Sequence, residues 1–180
     1  MSRADTAARI LDAAVMVGAT EGVAALSLQG VGSAAGVSKA LVLYHFDGKD
    51  QLLAAVAERL VAEDVAGLDA AAASPDPLDA WRSVAGSADR RAQRALLTGL
   101  MHDASLRARA TELTSTRLVA ATRLASALLQ AAQLRPRIAP VLIGGVLLQQ
   151  LDGVAASAWA ETDLDATLDA SALALLGLGR

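Results

Sequence analysis

The chain has 180 residues, 54% of them hydrophobic, with 16 Lys and Arg against 19 Asp and Glu and a formal net charge of −3. It has no cysteine, which excludes disulfides and thiolate metal sites, and every apolar run of about 18 residues is broken by a charge or a helix breaker, which excludes a membrane-spanning helix. The acidic balance counts against a broad basic surface, so any phosphate contact must come from a few placed cations and from helix N-termini.

The start, Met1-Ser2-Arg3-Ala4-Asp5, lacks the apolar stretch of a secretory signal, so the expected compartment is the cytoplasm. Helical spacing dominates from there on, and no strand alternation is visible. A first helix is predicted over residues 5–19, with Ala7, Ile10, Leu11, Ala14 and Val17 recurring at three and four, ended by Glu21-Gly22. A short second helix spans about 27–35 and a short third about 39–45, followed by the breaker Asp47-Gly48. A long fourth helix runs from Lys49 to about Ala72, with Leu52, Leu53, Val56, Leu60 and Leu68 near one face. Ser74-Pro75-Asp76-Pro77 then separates it from helices expected over 78–85, 89–103, 106–133, 138–159 and 165–176, with a turn at Leu134-Arg135-Pro136-Arg137. The aromatics are only Tyr44, Phe46, Trp81 and Trp159, so the core must be Leu, Val and Ala packed helix on helix.

The chemistry concentrates at Ala34-Ala35-Gly36-Val37-Ser38-Lys39. Glycine can take the left-handed conformation that closes a helix, and Ser38 can then cap the next one. A corner this tight sets two short helices at a steep angle, as helix-turn-helix docking requires. In the third helix Val42 and Phe46 can fill a small core together, leaving Lys39, Ala40, Leu41, Leu43 and Tyr44 outward. The apolar Ala40 and Leu41 could meet only a thymine methyl. Lys49, a cation at a helix start, is unfavourable for the dipole unless a phosphate lies there too. Ser27 offers a hydroxyl at the start of the second helix.

Residues 9–53 resemble the DNA-binding region of the TetR family of transcriptional regulators. The matching elements are Ile10-Leu11-Asp12-Ala13-Ala14, Gly22, Ser27-Leu28, Ala35-Gly36-Val37-Ser38-Lys39, Tyr44-His45-Phe46 and Lys49-Asp50-Gln51-Leu52-Leu53, at fixed spacing. The resemblance implies an all-α protein. A three-helix DNA-binding domain over 1–48 would precede a helical ligand-binding and dimerisation domain over 49–180, with the helix from Lys49 joining them. It implies a homodimer that binds a double-stranded DNA operator and responds to a small-molecule effector, as a repressor released when the effector binds. The implied DNA contacts are Ser27, Ser38, Lys39, Ala40, Leu41, Leu43, Tyr44, His45 and Lys49. Gly18, Gly30, Gly32 and Leu43 depart from the family pattern. Each internal glycine costs a helix about 1 kcal/mol against alanine, so the DNA-binding domain is expected to be less stable than the body.

In the body, small residues around Asp152-Gly153, together with Gly144 and Gly145, mark a close-packing helix face. The expected dimer interface is Leu142, Gly145, Val146, Gln149, Gly153 and Ala156, joined by Leu168, Ala172, Leu175 and Leu176 of the last helix into a four-helix bundle. The expected effector pocket is Trp81, Leu97, Met101, His102, Leu148, Asp152 and Trp159, suited to an aliphatic or mixed small molecule. The mid-body arginines read as a solvated face with local acid partners, one or two of them free for an anionic ligand. No cofactor or metal is expected: the two histidines lie far apart, and no phosphate loop or nucleophile–base arrangement is present, so catalysis is not expected. The competing function is a helical dimer that binds a ligand or protein without DNA, which the neutral N-terminal segment favours.

Overall fold

The computed structural model describes residues 3–135 and 137–156. Among these there is no strand; eight α-helices are joined by short turns. They are α1 (Arg3–Glu21), α2 (Leu28–Ala34), α3 (Lys39–Phe46), α4 (Lys49–Ala72), α5 (Pro77–Gly86), α6 (Ala88–Met101), α7 (Arg107–Ala131) and α8 (Pro140–Ala156). Short 3-10 turns at Val23–Ala25 and Ala104–Leu106 precede α2 and α7. The expected last helix, with Trp159, Leu168, Ala172, Leu175 and Leu176, lies outside the described residues, as does Pro136.

Local chemistry sets the ends. Asp76 caps α5, its carboxylate accepting from the Leu78 and Asp79 N–H groups at 3.1 and 3.0 Å, while Pro77 occupies the first turn, where no N–H is needed. At the end of α7, Gln133 adopts φ 55° and the Leu134 N–H reaches back to the Leu129 carbonyl at 2.9 Å. The turn expected around Pro136 therefore begins earlier, with Gln133 in the left-handed position usually taken by glycine.

Two cores form, and α4 runs through both. The first gathers Ile10, Ala14, Leu26, Val31, Val42 and Phe46 with Leu52–Val61 of α4 and with Leu96, Leu97, Leu100 and Leu106. The second gathers Leu68 and Ala71 at the far end of α4 with Trp81, Leu124, Ile143, Leu147 and Leu151. The helix-turn-helix is thus built against α6 as well as α4. Gly18 explains the close approach: a Cβ there would stand 2.7 Å from Leu96 Cδ2. Leu96 of α6 fills the space beside Gly18 that a side chain of α1 would otherwise occupy.

Candidate nucleic-acid interface and body

The α2–α3 corner is assembled as its residues dictate. Gly36 takes φ 65°, and the Val37 N–H donates to the Gly32 carbonyl at 2.9 Å, closing α2. Gly32 is needed in its own right, since a Cβ there would lie 3.0 Å from the Val37 carbonyl oxygen. Ser38 then caps α3, its hydroxyl accepting from the Leu41 N–H at 3.2 Å. Ser27 caps α2 in the same way, from the Gly30 N–H at 3.0 Å. Each serine keeps its own O–H free of that capping bond and faces solvent.

Helix α3 presents two unlike sides. Val42 is fully buried and Phe46 nearly so, while Tyr44 is 63% exposed and Leu43 46% exposed. Lys39 and Ala40 are exposed, and Leu41 and His45 half-buried. Tyr44 is therefore not a core residue. The Arg3 guanidinium lies 4.9 Å from its ring centroid, a cation–π contact that brings a cation from α1 to the outer face of α3. Sequence reading missed Arg3 because it stands 41 positions from Tyr44 along the chain. Lys49 is exposed at the start of α4. It lies close enough to Asp103 to help hold that carboxyl below the usual carboxylate range, where the main cause is hydrogen bonding from the Ser105 hydroxyl and N–H.

The body departs further from expectation. Of the expected pocket residues, Trp81 and Leu148 pack in the second core while Leu97 and Met101 pack in or on the first. His102 is exposed and its Nδ1 lies 2.7 Å from the Thr98 carbonyl, an end-of-helix contact. Asp152 is held inside the protomer by a bidentate pair with Arg117, at 2.6 and 3.1 Å. The expected pocket residues that are described are thus divided between the two cores, the end of α6 and an ion pair of α8. Trp159 lies outside the described residues.

The arginines are corrected too. Arg94 and Arg117 are 2% and 3% exposed and share Asp64 of α4, itself 6% exposed. Arg94 Nε donates to Asp64 Oδ1 and Arg117 Nε to Asp64 Oδ2, both at 2.8 Å. Arg94 Nη1 also donates to the Val84 carbonyl at 3.0 Å. A chain of four charges therefore ties α4 to α6, α7 and α8. Burial pushes the Arg94 guanidinium down from its ordinary value, and Asp64 opposes it. For Arg117 burial is the largest influence and acts downward, but the hydrogen bonds and charges of Asp152 and Asp64 together outweigh it and raise the pKa. A signal was present: Asp64 falls midway between Leu60 and Leu68 on the buried stripe of α4.

Helix α8 has one buried and one bare face. Ile143, Leu147, Leu151 and Val154 are buried, whereas Leu142, Val146, Gln149, Gly153 and Ala156 are exposed and Gly145 half-buried. Val141 of the same helix, Ile138 just before it and Val119 of α7 are also exposed. Gly144 belongs to the interior instead, because a Cβ there would lie 2.6 Å from Thr122 Oγ1. Among the described residues no group of three His, Cys, Asp or Glu could hold a metal ion, and no helix is long and apolar enough to cross a membrane.

This geometry is that of a capped helix-turn-helix set on a long helix that continues into an all-helical body. Residues 10–56 match the family described as bacterial regulatory proteins, tetR family. Solved structures agree over nearly the whole length. A transcriptional regulator from Rhodococcus sp. Rha1 is 21% identical with a TM-score of 0.74, covering 95% of this chain and 96% of its own. Salmonella enterica GusR is 18% identical with a TM-score of 0.73, covering 97% and 95%. FadR from Bacillus subtilis, solved in complex with stearoyl-CoA, is 16% identical with a TM-score of 0.68, covering 95% and 98%. No curated protein matches the sequence. Residues 10–56 thus resemble the N-terminal region of the TetR family, and the chain as a whole has the fold of the solved TetR-family regulators.

Proposed function

We propose that the protein is a dimeric, non-catalytic cytoplasmic transcription regulator that represses from a palindromic operator and is released when a small molecule binds its body. The observation that carries this reading is the outer face of α3, where Tyr44 and Leu43 stand exposed while Val42 and Phe46 anchor the helix. In this reading α3 enters a major groove with Lys39, Ala40, Leu41, Leu43, Tyr44 and His45. Ser27, Ser38, Lys49 and the newly placed Arg3 hold phosphates. Residues 1–48 serve DNA and residues 49–180 serve the effector and the dimer.

The second copy covers the bare face of α8 at Leu142, Gly145, Val146, Gln149, Gly153 and Ala156. Two-fold symmetry then sets the recognition helices roughly 34 Å apart. The effector acts by population shift: it binds one tilt of α4 better than another, and operator affinity falls by the difference. The stearoyl-CoA bound by FadR of Bacillus subtilis supports an effector site in a body of this fold.

The test is selection of bound sequences from a random DNA pool, followed by salt titration. A palindromic consensus is expected, with binding that weakens steeply as salt rises. Lys39→Ala and Tyr44→Ala should lose operator binding while light scattering still reports a dimer. Retained binding in both, or no enriched sequence, would overturn the reading.

A further inference from the structure

Arg3 stands where a cation has no local reason to be. It opens α1, and the N-terminal end of a helix carries partial positive charge. Asp5 in the same turn suits that end; Arg3 does not. The backbone nevertheless fixes its place. Arg3, Thr6 and Ile10 recur at three and four and so share one face of α1, and Thr6 and Ile10 are buried. Arg3 continues this inward stripe past the edge of the core, which leaves it exposed and beside the outer face of α3.

There it meets Tyr44. The Arg3 Cζ lies 4.9 Å from the Tyr44 ring centroid. The same ring meets the His45 imidazole edge-on, with centroids 5.4 Å apart and planes at 78°. Two neighbours therefore orient a side chain that is otherwise in water. A cation–π contact at an exposed site favours the docked arginine by only about two- to fivefold, so it narrows the positions of the guanidinium without locking it. An arginine held this way loses less rotamer freedom when it binds an anion. Contact with the ring also leaves most of its five N–H donors for a planar bidentate acceptor such as a phosphate.

We propose that Tyr44 is the seat of a phosphate-binding arginine. The ring positions the Arg3 guanidinium beside α3, and part of what Tyr44 contributes to DNA binding passes through that cation. The inference rests on the DNA-binding reading above and adds to it that an uncharged residue governs a charged contact made by another helix.

The experiment uses the full chain and two readouts. The first needs no DNA. Tyr44 is the sole tyrosine, so its ring resonances are unambiguous in a tyrosine-labelled sample, and Arg3→Gln should shift them by removing the charge from the ring. The second is the slope of log affinity against log salt on a mixed-sequence duplex at low salt, where phosphate contacts dominate and no operator is needed. Arg3→Gln should reduce that slope by about 0.9 for each protomer bound. Tyr44→Ala should reduce it by at least about half as much, although it removes no charge. Tyr44→Phe keeps the ring and should keep the original slope. Arg3→Gln added to Tyr44→Ala should bring little further change.

Unshifted tyrosine signals in Arg3→Gln would overturn the proposal. So would a slope that Arg3→Gln or Tyr44→Ala leaves unchanged, or equal slope losses from Arg3→Gln with and without the ring. In each of these cases the duplex is still bound and the DNA reading stands. Absence of binding to any duplex at low salt sinks both. The expected slopes without any enriched sequence from the random pool sink the operator reading alone.

Discussion

The two ends of α4 solve opposite problems. Around its start, α3 is fixed by little more than Val42, Phe46 and a serine cap, and its outer face is left bare. Around its middle, three helices converge on one buried carboxylate, Asp64, and the polar groups are almost all enclosed. A surface meant to meet another molecule keeps its polar and aromatic groups in water. A junction of helices that must hold a defined arrangement can bury charge, because breaking such a pair is far more costly than never having made it.

The sharpest way to break this comparison is at Asp64. Asp64→Ala leaves the buried Arg94 guanidinium without its counter-charge and Arg117 with Asp152 alone, and should lower the unfolding free energy by about 3–5 kcal/mol in urea titration. An effect under about 1 kcal/mol would show that this chain of charges is solvated. At the other end, Ser38→Ala removes only the cap of α3 and should cost about 1 kcal/mol. Tyr44→Ala, on a residue mostly in water, should change stability by no more than about 0.5 kcal/mol, so any loss of DNA binding in that variant reports contact and not folding. Hydrogen exchange sharpens the same contrast: amides of residues 5–46 should exchange faster than those of α7, and equal protection would show that both regions unfold as one unit.

Much of the fold was legible because its punctuation is local. Gly48 and Ser74-Pro75 bracket α4, and the Gly36–Ser38 corner identifies the helix pair from a handful of residues. The outward set on α3 followed from spacing alone. The body was less legible because its decisive contacts join residues far apart. Arg94 and Arg117 find Asp64 across 30 and 53 positions, and no periodicity in either helix names the partner. The effector pocket is hard to read from sequence for a related reason. Apolar side chains such as Trp81 and Leu97 look alike whether they line a cavity or fill a core, and here each fills a different one.

Gly18 has a consequence for how α6 sits on the first helix. Leu96 of α6 meets α1 where there is no space for even one methyl group, and Gly99 of the same helix meets Val23 just as closely, a Cβ there standing 2.9 Å from Val23 Cγ2. Alanine at Gly18 or Gly99 should therefore loosen the seat of α6 on the first helix and on the turn after it, because the neighbouring side chain must move aside.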